Sequence, residues 1–188
     1  MKVVALLSSP RQNGNSASLA RRAVDVLNRN GCVVEVFALN QLSFKGCQAC
    51  MACKTKMDRC AVDDGLTPVL ESVRNAEGLI VATPVYWYDI CAQLKTFVDR
   101  CYSFLKPDYL TNPQPSRLGT GRKLLFILTQ GAPQPIEVYP KYRDIFKWLG
   151  FSESRLVHAV GVRDLGDVDK REDLFSEVEK AALWLIGK

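Results

Sequence analysis

Apolar residues recur along this chain in two rhythms: short unbroken runs, and stripes spaced three or four positions apart. Five runs read as buried strands, at 3–7, 32–39, 78–83, 123–129 and 155–162. Between them lie helical stripes. Leu19, Ala20, Ala23, Val26 and Leu27 share one face of a helix over 17–28, which Asn30-Gly31 closes. Asp63-Asp64 is expected to cap a helix carrying Leu66, Val69, Leu70 and Val73. Further helices are expected over 92–104, over 141–149 ending at Gly150, and from about Lys170 onward with Leu174, Val178, Ala181 and Leu185 on one face. Near-continuous apolar strands alternating with helices predict an α/β fold: a parallel sheet covered on both faces through right-handed crossovers. Segment 106–122 is rich in Pro and Gly but reads as a surface excursion, since the alternation resumes after it. Residues 1–188 therefore read as a single domain.

Composition changes this picture little. Hydrophobic residues make up 47% and charged residues 24%, as in ordinary globular chains. No apolar run reaches the roughly 18 residues of a membrane span. The apolar start, Val3 to Leu7, is shorter than the core of a signal peptide, so a cytoplasmic chain is expected. The net charge of +5 comes from basic residues spread along the chain. A nucleic-acid binder would gather them on one stripe, so no nucleic-acid partner and no membrane are expected.

In parallel sheets of this kind ligands sit at the C-terminal strand ends. Three loops there stand out. The first, Ser8-Ser9-Pro10-Arg11-Gln12-Asn13-Gly14-Asn15-Ser16, joins a buried strand to a helix start. Hydroxyls, a guanidinium and free helix N–H groups suit a phosphate, with Ser9, Asn15 and Ser16 as donors, Arg11 as neutraliser and Gly14 for the turn. The plainer alternative is a polar loop in which Asn15 or Ser16 caps the helix. The loop has neither a GxGxxG nor a Walker lysine pattern. The loop after the third strand, Thr83-Pro84-Val85-Tyr86-Trp87-Tyr88-Asp89, offers aromatic surface for a flat ring, or for packing on a helix or another subunit. The loop after the fourth, Thr129-Gln130-Gly131-Ala132-Pro133, is small enough for close approach to a ring. One phosphate and one flat ring describe a mononucleotide such as FMN.

The motif Ser9-Pro10-Arg11-x-x-Gly14-Asn15-Ser16, with Thr83-Pro84-Val85-Tyr86-Trp87 and Ala92-Gln93-Leu94-Lys95-Thr96-Phe97-Val98-Asp99-Arg100, resembles the NAD(P)H-dependent FMN reductase family of the flavodoxin-like superfamily. The resemblance implies a doubly wound five-stranded parallel sheet in the order 2-1-3-4-5. It implies FMN bound by Ser9, Arg11, Gly14, Asn15, Ser16 and Ala17 at the phosphate. Pro84, Val85, Tyr86 and Trp87 would lie at the isoalloxazine, with Thr129, Gln130 and Gly131 at its other edge. It also implies a homodimer or homotetramer.

Seven cysteines are present, and Cys47, Cys50, Cys53 and Cys60 lie within fourteen residues, in a loop over 45–64. An odd count clustered this way points to metal or redox chemistry rather than a disulfide scaffold. Cys32, Cys91 and Cys101 sit among apolar neighbours and read as core thiols. The compact spacing suits an iron–sulfur cluster better than structural zinc. It resembles the iron–sulfur flavoproteins, a branch of the same family with a 4Fe–4S cluster at this place. Other family members carry a similar segment before an Asp-Asp pair without a cluster, so a 4Fe–4S cluster, free thiols, and zinc or a disulfide all stay open.

Three functions follow. In the first, NAD(P)H delivers a hydride to FMN, which passes electrons to a quinone, flavin, metal ion or oxygen. In the second, a ferredoxin-like donor feeds single electrons through the cluster to FMN. In the third, the protein is an electron carrier without its own substrate. The flavin carries the chemistry in each, so no catalytic side chain is required. The lone His158, on the fifth strand and away from the site loops, reads as structural.

Overall fold

Side chains on neighbouring strands of this protein alternate between two separate apolar cores. In the computed structural model, which describes residues 1–188, Val4, Leu6, Leu79, Val81, Phe126 and Leu128 enter one core. Val3, Ala5, Ile80, Ala82, Leu125 and Ile127 enter the other. The period-two geometry of a strand places consecutive residues on opposite faces, so a continuous apolar run fills both cores at once. Each fully buried Leu, Ile or Phe contributes about 1.5–3 kcal/mol.

The strands are β1 (Lys2–Leu7), β2 (Val33–Ala38), β3 (Gly78–Tyr86), β4 (Asp89–Ile90), β5 (Lys123–Thr129) and β6 (Glu153–Ala159). The helices are α1 (Asn15–Arg29), α2 (Ala52–Thr55), α3 (Thr67–Arg74), α4 (Ala92–Arg100), α5 (Tyr139–Trp148) and α6 (Glu172–Leu185). The sheet runs β2-β1-β3-β5-β6, with every pair on that path parallel. Helices α1 and α6 belong to one core, while α3, α4 and α5 belong to the other.

The expected five-stranded sheet in the order 2-1-3-4-5 is thus corrected to six strands in the order 2-1-3-5-6. The added strand, β4, has two residues and folds back antiparallel on the end of β3. Two residues carry no periodicity, so hydropathy could not reveal it. β3 also runs on past Pro84 to Tyr86, where the residue types had suggested a stop. The expected helix over 92–104 ends at Arg100, and Cys101–Phe104 continues as a 3-10 turn. β6 lies two to three residues earlier than its apolar run suggested, in register with β5 from Lys123↔Glu153 to Thr129↔Ala159. Asp63 and Asp64 do not occupy the N-cap of α3, which is Leu66; Asp64 instead accepts a hydrogen bond from the Leu66 N–H at 2.9 Å. Of the three expected core thiols, Cys91 and Cys101 are buried and Cys32 is half-exposed.

Arg122 closes the 106–122 excursion against the sheet. Its guanidinium donates to the carbonyls of Val73 (2.9 Å), Ala76 (2.6 Å) and Arg74 (2.9 Å), which satisfies the open C-terminal end of α3. Gly150 sits at φ +103°, and a Cβ there would stand 2.2 Å from the Gly119 carbonyl oxygen. Gly31 also has positive φ, +79°, but faces open space. Gly31→Ala should therefore cost about 1–2 kcal/mol, the left-handed penalty alone. Gly150→Ala adds overpacking of about 1–3 kcal/mol and should cost about 2–5 kcal/mol. Urea unfolding midpoints test this, and equal losses in the two variants would contradict the packing of the excursion on α5.

Candidate functional site

Loop one folds tightly onto itself. The Ser8 hydroxyl and N–H both reach the Ala82 carbonyl, at 2.8 and 3.0 Å, which ties the loop to β3. The Gly14 N–H donates to the Arg11 carbonyl (3.0 Å), and the Arg11 N–H donates to the Ser9 hydroxyl (3.1 Å). A Cβ on Gly14 would lie 3.1 Å from Arg11 O and 3.2 Å from Ser9 Oγ, so the close approach favours glycine. Gly14 is the N-cap of α1, without a side-chain cap, and the first turn holds no acidic residue. The N–H groups of Asn15, Ser16 and Ala17 consequently donate to nothing in the chain. This helix end carries about half a positive charge, unquenched, beside a cation at Arg11.

The alternative role of Asn15 or Ser16 as cap is not what the chain adopts. The Asn15 amide donates instead to the Asp164 carbonyl at 2.9 Å. Arg11 Nη1 donates to the Arg163 carbonyl at 3.1 Å. These two bonds draw the loop after β6 across loop one. Val162 and Arg163 thereby join the cavity that Ser9, Arg11, Gly14, Asn15 and Ser16 line. Neither is among the residues expected from sequence, because the last apolar run extends through 162 and hides the end of β6 at Ala159. The polar, Gly-flanked stretch Gly161-Val162-Arg163-Asp164-Leu165-Gly166 at a strand's C-terminal end was the available signal.

Loop three contributes Pro84, Val85 and Tyr86 to the same cavity, and loop four contributes Thr129, Gln130 and Gly131. The cavity measures about 220 Å³. Two expected residues are not on its wall. Ala17 turns its side chain into the core and offers only its N–H. Trp87 stands in the turn between β3 and β4, 95% exposed, beside an exposed Tyr88. Both have positive φ, 49° and 63°, as a tight two-residue hairpin turn requires. The hairpin is anchored by Asp89, which accepts from Tyr142 Oη (2.8 Å), Lys141 Nζ (2.6 Å) and the Ile90 N–H (2.7 Å). Burial alone would raise the Asp89 pKa; these hydrogen bonds outweigh it and hold the carboxyl below its usual range.

The Gln130 side chain is fully used in shaping loop four. It donates to the Ala132 and Gln134 carbonyls, at 3.0 and 2.7 Å, and its oxygen accepts from the Ile136 N–H at 3.0 Å. The same oxygen lies 2.8 Å from His158 Nε2. His158 is thus a structural partner of a site loop, not remote from it, and burial lowers its pKa. Arg163 packs across Gly131, within 3.3 Å of where a Cβ would be.

The four clustered cysteines line a second, mostly apolar cavity of about 180 Å³, together with Arg100 and Tyr102. All are free thiols. No three acidic, histidine or cysteine groups converge on a point that would hold a single ion. Lys54, on α2, fastens this loop by donating to the Tyr102 and Leu105 carbonyls, at 2.5 and 2.8 Å, with its ammonium 3.9 Å from the Tyr102 ring centre. A larger apolar groove, about 730 Å³, lies between α4, α5 and the excursion; it holds none of the expected FMN residues but shares Cys47 with the cysteine cavity.

Among known proteins, the chain is 33% identical over 100 residues to an iron–sulfur flavoprotein of Methanocaldococcus jannaschii, covering 53% of this chain and 51% of that protein. It is 31% identical over 122 residues to an iron–sulfur flavoprotein of Methanosarcina thermophila, covering 64% of this chain and 63% of the relative. The chain therefore matches only about half to two thirds of the length of these curated relatives. Its fold is similar to that of an FMN-dependent NADH-azoreductase from Bacillus anthracis, with a TM-score of 0.74 at 17% identity over 98% of this chain and 99% of that one. Residues 1–157, which include loops one, three and four and the cysteine segment, match the model of the NADPH-dependent FMN reductases, and the chain belongs to that family.

Proposed function

We propose that the protein is an oxidoreductase that binds FMN in the strand-end cavity and moves electrons from NAD(P)H to a small acceptor such as a quinone, a flavin, a metal ion or oxygen. The observation that carries this is the first turn of α1, where three N–H groups without acceptors meet Arg11. Ser9, Arg11, Gly14 and Ser16, with the N–H groups of Asn15 and Ala17, would hold the FMN phosphate. The bonds from Arg11 to the Arg163 carbonyl and from the Asn15 amide to the Asp164 carbonyl keep Arg163 over the site. Pro84 to Tyr86 and Thr129 to Gly131 would frame the ring through backbone groups, which fits a site where Gln130 has no free side-chain donor. Trp87, exposed in the hairpin turn, would cover the ring from outside rather than form the wall. Bound FMN would supply the hydride and single-electron chemistry. No helix is long and apolar enough to cross a membrane; cytoplasmic action as a homodimer or homotetramer completes the proposal.

The cysteine cavity favours a second reading, in which an iron–sulfur group takes single electrons and passes them to FMN in place of NAD(P)H. Cys47, Cys50, Cys53 and Cys60 line one cavity, four thiols as a four-iron cluster requires, and the two relatives named above are iron–sulfur flavoproteins. These four thiolates would hold the cluster, which supplies one-electron transfer, with a ferredoxin-like protein as donor.

Arg11→Met should weaken FMN roughly ten- to a hundredfold, the worth of one charge-assisted hydrogen bond, and leave riboflavin affinity within about twofold. Quenching of flavin fluorescence measures both, and equal loss for the two flavins would remove the phosphate from loop one. Protein purified without oxygen should contain about four iron and four labile sulfide per FMN. FMN without iron would leave the cysteines as thiols, and rapid NAD(P)H oxidation by that protein would then favour the pyridine-nucleotide route alone.

A further inference from the structure

Arg100 is the one charged side chain that is fully buried in this protein. It lies at the end of α4, the helix that starts just after the β3–β4 hairpin. Its guanidinium makes four hydrogen bonds, all to the cysteine loop. Nη1 donates to the Lys45 carbonyl (3.0 Å) and to Asp64 Oδ2 (2.9 Å). Nη2 donates to the Val62 carbonyl (2.7 Å). Nε donates to Cys60 Sγ at 2.9 Å. Asp64 completes the arrangement by accepting from the Lys45 and Leu66 N–H groups, at 3.0 and 2.9 Å. The two ends of the loop are thus pinned at one neck, and a desolvated positive charge points an N–H at one of the four sulfurs.

We propose that Arg100 is a positioning residue that sets the reduction potential of the group held by Cys47, Cys50, Cys53 and Cys60, through its hydrogen bond to Cys60 and its buried charge. The inference rests on the iron–sulfur reading above. The step it governs is the uptake of one electron from a one-electron donor, with no bond made or broken. That electron makes the sulfur-ligated group more negative. A fixed cation in a low-dielectric setting stabilises the reduced form more than the oxidised one, so it raises the potential. The planar fork matters too. Lysine could supply the charge but not four donors aimed at a sulfur, a carboxylate and two carbonyls.

The test is a redox titration followed by electron paramagnetic resonance, on oxygen-free wild-type protein and on Arg100→Gln, Arg100→Lys and Asp64→Asn. Iron, labile sulfide, FMN content and thermal midpoint are measured on each. Arg100→Gln should lower the potential so that the equilibrium with a one-electron titrant shifts at least tenfold, about 59 mV. Arg100→Lys should recover part of that shift. Asp64→Asn loosens the same neck but removes a negative charge, so its potential should stay or rise. A purely structural role predicts that Arg100→Gln and Asp64→Asn shift the potential in the same direction, which would overturn the proposal. Unchanged potentials across the set, with iron retained, would overturn it as well. Wild-type protein with FMN but no iron or sulfide would instead refute the reading beneath it, and the proposal would fall for that separate reason.

Discussion

β1, β3 and β5 bury their side chains on both faces, so each must be covered by helices in front and behind. That covering is available only if the chain crosses over the sheet between strands, and a crossover returns the next strand parallel to the last. Parallel strands share one C-terminal edge. Loop one, the cysteine segment, the β3–β4 hairpin, loop four and the loop after β6 all leave the sheet from that edge. The site is therefore a consequence of apolar runs that lie tens of residues apart in sequence. The helix N-terminus at Asn15 is part of the same consequence, because every crossover helix begins where its strand ends.

The cysteine segment needs a different kind of constraint, since it gives no fully buried residue to either core. Ala49 and Met51 adopt positive φ, at 50° and 56°, and α2 is a single turn. Such a loop is held by polar bonds from its surroundings. Arg100 and Asp64 close its neck, Lys54 fixes its middle, and Arg117 donates to the Cys53 carbonyl at 3.2 Å. Burying the Arg100 charge is costly, and removing one partner of such a pair commonly costs roughly 3–5 kcal/mol. Burial alone would raise the Asp64 pKa, but the bonds from Arg100, Lys45 and Leu66 outweigh it and hold the carboxyl below its usual range. The contribution of that carboxylate is present above the ordinary aspartate pKa and is lost as pH falls through the lowered one.

Most of the sheet was legible in the sequence because each long strand is a run of buried residues. Val3–Leu7 and Lys123–Thr129 could be read directly, as could the stripe on α1 and its stop at Asn30-Gly31. What escaped depends on contacts between distant segments. β4 exists because Asp89 is bonded by Tyr142 and Lys141 more than fifty residues away. Arg163 reaches the site because Asn15 and Arg11 bind the carbonyls beside it. The site residues that were legible, Ser9 to Ser16 and Thr129 to Gly131, follow from strand ends and residue type. Their actual use did not: the Asn15 and Gln130 amides turn into the protein, and only their backbones remain for a ligand.

Helix α4 connects the two sites physically. It starts at Cys91-Ala92, where the Cys91 thiol lies 3.2 Å from the Ser8 carbonyl and hydroxyl oxygens, directly beneath loop one. It ends at Arg100, about 12 Å further along the helix axis at 1.5 Å per residue. A rigid helix whose N-cap residue abuts Ser8 of loop one and whose last residue binds Cys60 ties loop one and the cysteine loop to one frame. Loosening the neck at Arg100 would leave α4 in place, because Leu94, Phe97 and Val98 are buried in the core. The neck of the cysteine loop would open while Lys54 and Arg117 still hold its middle. The strand-end cavity rests on loops tied together by Arg11 and Asn15, and the cysteine cavity on bonds from Arg100, Lys54 and Arg117, so the two can be perturbed independently although a single helix joins them.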